Sequence, residues 1–377
     1  MKVDVLVQNV SDQCIPNLVA AKTYQPQRII WIYTPEKENI LKRLQQAVHG
    51  VRQETWQVNA RDSQALASVL GQRFSNLKAS GKVVYHLTSG TKSMALQGMY
   101  ALMKQSHLSA TGVVMDPQSQ HFDAVLPKAA NNQTPCVSLG FNQILHVHGS
   151  KRKDKSGRSM EIVLPHYDAI QKLRLLNPVL MRDLKDVDVC KKEEAQRNGG
   201  FYFLRQNKAL TSNIQQGLHI AQDIGVIKGL NIQGNQFAFQ TVYTDNPIKY
   251  IRNVWMEDWV TAVLAKHNDG NWKGGFSGIE VSIKQYENYQ EFDFLGARKN
   301  HLVYWSCKNT SKLSSAQLFE IDALKDEVGG RDFHIAGLVH TAEIKEGLKQ
   351  KAKRLGLHLV NVLDADAEEK LVRISCR

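Results

Sequence analysis

Over its first 125 or so residues the chain alternates short apolar strands with amphipathic helices, and that alternation leaves few folds open. VDVLVQN, RIIWIYT, TWQVNA, KVVYHLTSG and ATGVVMD read as strands; Glu36–His49, Ser63–Ser80 and Ser93–His107 read as helices between them. Strands so arranged pair in a mostly parallel sheet that needs helices on both faces. Sheets of this kind take their ligands at the carboxyl ends of the strands, in the strand-to-helix loops.

Two of those loops carry chemistry. The strand KVVYHL runs into Thr88-Ser89-Gly90-Thr91-Lys92-Ser93 and then into the helical MALQGMYALMKQ. Small hydroxyl residues, a glycine and a lysine at a helix start suit an anion, because free backbone N–H groups and the helix dipole both favour negative charge there. The same residues also suit plain capping by Thr88, Ser89 or Ser93, and the pattern alone does not separate the two. It is no Walker loop, since G-x-x-x-x-G-K is absent. The first strand leads into Gln8-Asn9-Val10-Ser11-Asp12-Gln13 and then Ile15-Pro16-Asn17 at the same sheet edge; a polar turn capped by Asp or Ser is the simpler account of it.

The C-terminal part carries a different signal. EFDFLG (291–296) and HLVYWSCK (301–308) read as a hairpin closed by the polar turn Ala297–Asn300, with Asp293 and Lys308 pointing toward one spot. Charged groups on apolar strands cost free energy unless they bind something. Leu302, Tyr304, Ser306 and Lys308 share one face of the second strand, with Val303, Trp305 and Cys307 on the other. Upstream, Ile251–His267 reads as a helix with Trp255, Met256, Trp259 and Val263 on one apolar stripe. Glu257 and Asp258 both fall off that stripe, and periodicity does not choose between them.

Composition sets the limits. A length of 377 residues exceeds what one core usually serves, so two or three domains are expected. Apolar runs such as Ile29–Tyr33 are far too short to cross a bilayer, and MKVDVLVQN enters a strand without a cleavable apolar core. No membrane partner and cytoplasmic residence are the expectations. Five cysteines without C-x-x-C or Cys/His pairing argue against a disulfide framework and a structural zinc. The net charge of +12 points toward a polyanionic partner. HGSKRKDKSG (148–157) reads as a basic linker, and Lys128–Cys136 as a loop. Leu210–Ile227 reads as a helix, followed by a hairpin over Asn231–Tyr243 turning at Gly234.

Leu87-Thr88-Ser89-Gly90-Thr91-Lys92-Ser93-Met94 resembles the N-x-T-G-G-T-K loop of CARF domains, the cyclic oligoadenylate sensors of type III CRISPR immunity. His86 stands where that pattern often has asparagine, and Ser89 replaces its first glycine. Helix, acid-bearing hairpin with a terminal lysine, then a helix ended by Gly329-Gly330 resembles the PD-(D/E)xK nuclease fold, W-M-E, E-F-D-F-L and S-C-K being the matching pieces. The order of the two parts resembles the CRISPR ancillary nucleases activated by cyclic tetra-adenylate. The resemblance implies an α/β chain: a Rossmann-like CARF sensor (1–148), a connecting region with a winged-helix-like element (149–246) and a restriction-endonuclease-like nuclease domain (247–377). It implies a homodimer whose paired loops, with Ser11, Asp12, Gln13, Thr88, Ser89, Gly90, Thr91 and Lys92, hold the activator ring. It further implies Glu257, Asp293 and the Cys307 carbonyl as ligands of Mn²⁺ or Mg²⁺, with Glu257, Asp293 and Lys308 catalytic on DNA and/or RNA. Ser306 departs from the pattern, which has an acid two residues before the lysine; Glu280, Glu257 or Glu291 is expected to supply the missing charge. The competing reading is a transcription regulator using a winged-helix module at about 209–243.

Overall fold

The computed structural model describes residues 2–126, 133–184, 187, 190, 192–199, 202–203, 211–233, 236–242, 247–283, 288–328 and 333–376. The expected Gly234 turn and Gly329-Gly330 stop lie outside them. Seven strands form the first sheet: β1 (Val5–Asn9), β2 (Arg28–Tyr33), β3 (Arg52–Gln57), β4 (Lys82–His86), β5 (Ser109–Asp116), β6 (His121–Leu126) and β7 (Gln133–Pro135). Their order is β3-β2-β1-β4-β5-β6-β7, with β1 to β5 parallel and β6 and β7 antiparallel. The winding reverses between β1 and β4, so the carboxyl ends of those two strands open a crevice.

One helix departs from the sequence expectation. Ile15–Tyr24, read as loop at its start, is helical and buried on most sides, so it shows no amphipathic period. Pro16 sits in its first turn, where a missing N–H removes no helical bond.

Downstream come β8 (Lys151–Arg152) and β9 (Arg158–Ser159), then a small antiparallel sheet of β10 (Tyr202–Phe203), β11 (Ile227–Gln233) and β12 (Gln236–Thr241) in the order β10-β12-β11. The helix Ser212–Asp223 precedes the β11–β12 hairpin. The second large sheet is built from β13 (Trp272–Ser282), β14 (Tyr289–Arg298), β15 (His301–Lys308), β16 (Phe333–His340) and β17 (His358–Asn361). Its order is β17-β16-β15-β14-β13-β8, with β9 also pairing β13. The basic run 151–155 is therefore no loose linker. Lys151 and Arg152 pair with β13, Arg152 lies over the Phe276 ring at 3.9 Å, and Lys153 meets Glu280 at 2.7 Å.

The two large sheets share one apolar core. Leu18, Leu41 and Ile144 from the first unit pack in the same cluster as Ile279, Phe292 and Leu302 from the second. On β15, Leu302 and Tyr304 face this core while Val303 and Trp305 face another, as a period of two requires. The β14–β15 hairpin is longer than EFDFLG and HLVYWSCK imply, and its turn is Lys299-Asn300, both residues left-handed (φ 47° and 64°). Asn300 is buried at the hairpin tip. Its side chain accepts from Leu139 N–H (2.7 Å) and donates to the Val137 carbonyl (3.0 Å) and Gln120 Oε1 (2.8 Å).

A π-helical turn, Tyr250–Val254, leads into the helix Trp255–Lys266. That helix is buried without a break from Trp255 to Leu264, not along one stripe. It is enclosed by the helix Tyr167–Asp183, by β13, β14 and β15, and by the last helix Ala367–Ser375. Among the described residues no helix is long and apolar enough to cross a membrane.

Candidate functional site

The pairing of β14 with β15 runs from Arg298↔His301 to Phe294↔Trp305, and the strands part beyond it. The Asp293 carboxylate fills the opening. Its Oδ2 accepts from the Cys307 backbone N–H at 2.6 Å and from the Ser306 hydroxyl at 3.0 Å, and Lys308 Nζ lies 3.7 Å away. Ser306 thus serves the acid as a hydrogen-bond donor instead of adding a second charge.

The neighbouring acids on the helix meet opposite fates. Asp258 is fully buried and satisfied: Arg158 donates to it, as do the Tyr250 hydroxyl (2.6 Å) and the Ser277 hydroxyl (2.6 Å). Glu257, 8% exposed, faces Gly278, whose left-handed backbone (φ 57°) brings the strand so close that a Cβ there would lie 3.2 Å from Glu257 Oε2. Among the described residues no hydrogen bond or ion pair holds the Glu257 carboxylate. Burial, and then the charges of Asp293, Asp258 and Glu291, push its pKa well above the usual carboxylate range, with Lys249 pulling the other way. The structure thereby separates the two acids that periodicity left equivalent.

Of the acids expected to replace the charge missing at Ser306, Glu280 does not: its carboxylate is held by Lys153 at 2.7 Å. Glu291 is exposed and acts on Glu257 through its charge. Burial and the nearby carboxylates hold the Cys307 thiol well above its ordinary pKa, so its sulfur is no thiolate. Among the described residues no group of three or more His, Cys, Asp or Glu side chains is placed to hold a metal. Two hard carboxylates under mutual repulsion are nevertheless a donor set that fits a hydrated Mg²⁺ or Mn²⁺, which binds through one or two carboxylates and keeps several waters. A soft or tetrahedral metal finds no set here.

At the first sheet, the loops after β1 and β4 meet. Ser11 and Ser89 both donate to the Gln13 carbonyl (3.4 Å each). Gly90 (φ 87°) lies so close to Asn9 that a Cβ would come within 2.4 Å of the Asn9 Cβ, which a side chain cannot meet. Thr91, not Thr88, Ser89 or Ser93, caps the helix Lys92–Met103 by accepting from Met94 N–H (3.1 Å). Thr88 instead accepts from Met115 N–H on β5 (2.7 Å). Lys92 is exposed at the helix start, and Asp12, also exposed, is held by Lys37 (2.7 Å).

Beneath these loops lies a layer the sequence reading passed over. Asn17 donates to Gln8 Oε1 (3.2 Å) and to the Asn9 carbonyl (2.9 Å), and His86 contacts Gln8 Oε1 at 3.2 Å. All four are fully buried, and among the described residues Gln8 Nε2, Asn9 Nδ2, Asn17 Oδ1 and His86 Nε2 have no hydrogen-bond partner. Burial holds His86 neutral, its pKa down to about 3. The available signal was the polar ending of VLVQN, a strand otherwise apolar.

Residues 5–139 match the family model of the Card1 CARF domain. The N-terminal unit is a CARF domain. The loops just described are therefore its β1 and β4 loops at the sheet's switch point. No curated protein matches the sequence. Among solved structures, protein VC1899 from Vibrio cholerae aligns with 99% of this chain and 97% of its own at 14% identity, TM-score 0.72. Can2 from Sulfobacillus thermosulfidooxidans, solved with cyclic tetra-adenylate, aligns with 98% of this chain and 97% of its own at 18% identity, TM-score 0.68. A type III CRISPR defence DNA nuclease activated by cyclic oligoadenylate aligns with 98% of this chain but 51% of its own, at 17% identity and TM-score 0.51. At these identities the likeness is one of fold: the CARF domain and the α/β region after it are shared along their length.

Proposed function

We propose that this chain is a nuclease of type III CRISPR defence, switched on by a cyclic oligoadenylate and dependent on Mg²⁺ or Mn²⁺. In this reading residues 1–148 sense the ring, 149–246 connect, and 247–377 cut DNA and/or RNA. The observation that carries it is the buried Glu257 carboxyl group held beside Asp293, which itself meets Lys308 where β14 and β15 part. Buried like charges cost stability and are kept where a site uses them. Fold relatives solved with cyclic tetra-adenylate, or described as activated by cyclic oligoadenylate, support the sensor half.

Glu257 and Asp293, with the Cys307 carbonyl, would hold the ion, which supplies an activated water and polarises the scissile phosphate. The chain's own groups do the rest. Cys307 N–H and the Ser306 hydroxyl fix one Asp293 oxygen, and no described residue donates to the other. Lys308 places an ammonium where charge grows on the phosphate, a contribution of about 3 kcal/mol if it matches other such donors. Ser11, Gln13, Thr88, Ser89, Gly90, Thr91 and Lys92 would line the ring site, with Asp12 screened by Lys37. Leu96, Tyr100 and Met103 form an exposed apolar stripe on the helix that begins at this loop. A second copy of the chain covering it would bring the two halves of one ring site together, as a homodimer requires.

The regulator reading has less support. The helix Ser212–Asp223, its recognition helix, contains neither lysine nor arginine. Cleavage of labelled single- and double-stranded DNA and RNA in Mn²⁺, with and without cyclic tetra-adenylate, decides between them. Ring-dependent cutting that Asp293→Ala and Lys308→Ala each reduce by about a hundredfold or more is expected. Metal-independent duplex binding without any cutting would favour the regulator.

A further inference from the structure

Where the parallel strands β15, β16 and β17 end, Lys308, His340 and Asn361 lie in register side by side. Residues paired in register point to the same face of a sheet, so His340 shares Lys308's face. That edge opens into a cavity of about 770 Å³ that includes His340 and Asn361, with apolar walls (Ile344, Leu357, Ile374), further polar and charged groups (Glu343, His358, Asp364, Lys370), and Lys349 and Lys353 at its rim. The size is that of small-molecule sites, ~300–1,000 Å³. Lys349 and Lys353, four apart on the helix Glu346–Arg354, are exposed neighbours at the rim. His340 is 3% exposed; the Ala342 backbone acts on its ring, but among the described residues its Nδ1 has no hydrogen-bond partner. A buried ring nitrogen without a partner is costly unless a ligand meets it.

We propose that this cavity receives a nucleoside of the nucleic-acid strand beside the scissile phosphate, with the base between the apolar walls, its edge on His340, and the neighbouring phosphates on Lys349 and Lys353. Apolar walls beside hydrogen-bonding side chains (His340, His358, Asn361) suit a base, and lysines at the mouth suit the backbone. Burial holds the imidazole neutral, against the pull of the Ala342 backbone and of Asp364, so it reads a base edge by hydrogen bonding without charge. A base enters such a slot only when unstacked, so the substrate is single-stranded or locally opened there. The inference rests on the nuclease reading and extends it to base preference beside the cut.

The test has two arms. In chelator, where nothing is cut, fluorescence anisotropy of labelled oligonucleotides differing at one base measures binding to the full chain. In Mn²⁺ and cyclic tetra-adenylate, the cleavage products of the same set are sequenced. His340→Ala and His340→Gln are expected to flatten the base preference by about fivefold, the worth of one hydrogen bond. Lys349→Ala with Lys353→Ala is expected to weaken all sequences alike and to flatten the salt dependence by about two phosphate contacts. Thermal denaturation of each variant separates lost recognition from lost folding. Unchanged anisotropy in a folded His340→Gln and in the double lysine variant overturns the pocket. Absence of cutting by the unaltered protein, with the binding pattern intact, overturns the nuclease reading and leaves the pocket standing.

Discussion

The two sheets end differently at the edges where their sites lie. At the carboxyl edge of the CARF sheet the buried polar groups are amides and a neutral imidazole: Gln8, Asn9, Asn17 and His86. At the opening between β14 and β15 they include the carboxyl groups of Glu257 and Asp258, with Asp293 half-buried beside them. An edge lined by uncharged groups can accept an anion without changing protonation. An edge with surplus carboxylate is unstable as it stands and suits a cation. Even within the second site the chain discriminates, neutralising Asp258 fully and leaving its neighbour Glu257 bare. Of these two neighbouring acids only Glu257 is left without a hydrogen bond or ion pair among the described residues, which is how it differs from a structural ion pair.

Breaking the balanced acid should cost the most. Asp258→Ala removes the partner of Arg158, Tyr250 and Ser277 at once. A buried ion pair broken on one side typically costs about 3–5 kcal/mol. Chemical denaturation should show that loss, and a change below ~1 kcal/mol would mean Asp258 is not the anchor.

Glu257→Gln tests the unbalanced acid in the opposite sense. Activity is expected to fall by about a hundredfold or more while metal-free stability rises. The sign with pH follows from the raised pKa: the folded chain holds the Glu257 proton to higher pH than the unfolded chain, whose group titrates near its ordinary 4.5. Stability from this group is full below that value and is lost as pH climbs through the folded pKa. Thermal melts in chelator across this window should slope downward for the unaltered protein and less for Glu257→Gln. Equal slopes would show that Glu257 already has a partner.

How much of this was legible beforehand differs between the two sites. The strand alternation, the loops after β1 and β4, and the Asp293–Lys308 convergence are local patterns, so they could be read directly. The helix Ile15–Tyr24 was missed because a helix buried on nearly all sides has no period to show. Choosing Glu257 over Asp258 was impossible from one helix, since Arg158 lies 100 residues away and reaches Asp258 only through β9. Glu280, a reasonable substitute for the acid missing at Ser306, was withdrawn by Lys153 from a segment that looked like a linker.

A smaller effect probes what joins the two edges. Asn300, at the tip of the hairpin that carries Asp293 and Lys308, is bonded to Leu139, Val137 and Gln120 of the N-terminal part. Asn300→Gly keeps the left-handed turn and deletes those bonds. If the tip transmits the ring's effect, the ratio of activated to unactivated cleavage should drop about fivefold, the low end of ordinary coupling energies. An unchanged ratio would make the contact a simple anchor, since adjacency alone is no proof of coupling.

The smallest expected change lies under the proposed ring site. The Tyr85 hydroxyl lies 2.9 Å from Asn9 Oδ1 and 3.1 Å from the Met94 carbonyl, and Gly98 leaves room for it, a Cβ there coming within 2.2 Å of that oxygen. Burial keeps the phenol protonated, so it always has a hydrogen to donate. Tyr85→Phe leaves the fold's volume nearly unchanged and strips one hydrogen bond, for a loss of about 1 kcal/mol in denaturation. Asn9 carries the loss toward the ligand, because it abuts Gly90 in the β4 loop and its Nδ2 is unpartnered. Calorimetric titration with cyclic tetra-adenylate should therefore show affinity weaker by about fivefold, with cleavage at saturating ring unaltered. Weakened cleavage at saturation with intact affinity would place Tyr85 in transmission instead of ring binding, and the contrast between a neutral receiving edge and a charged working edge would lose its first half.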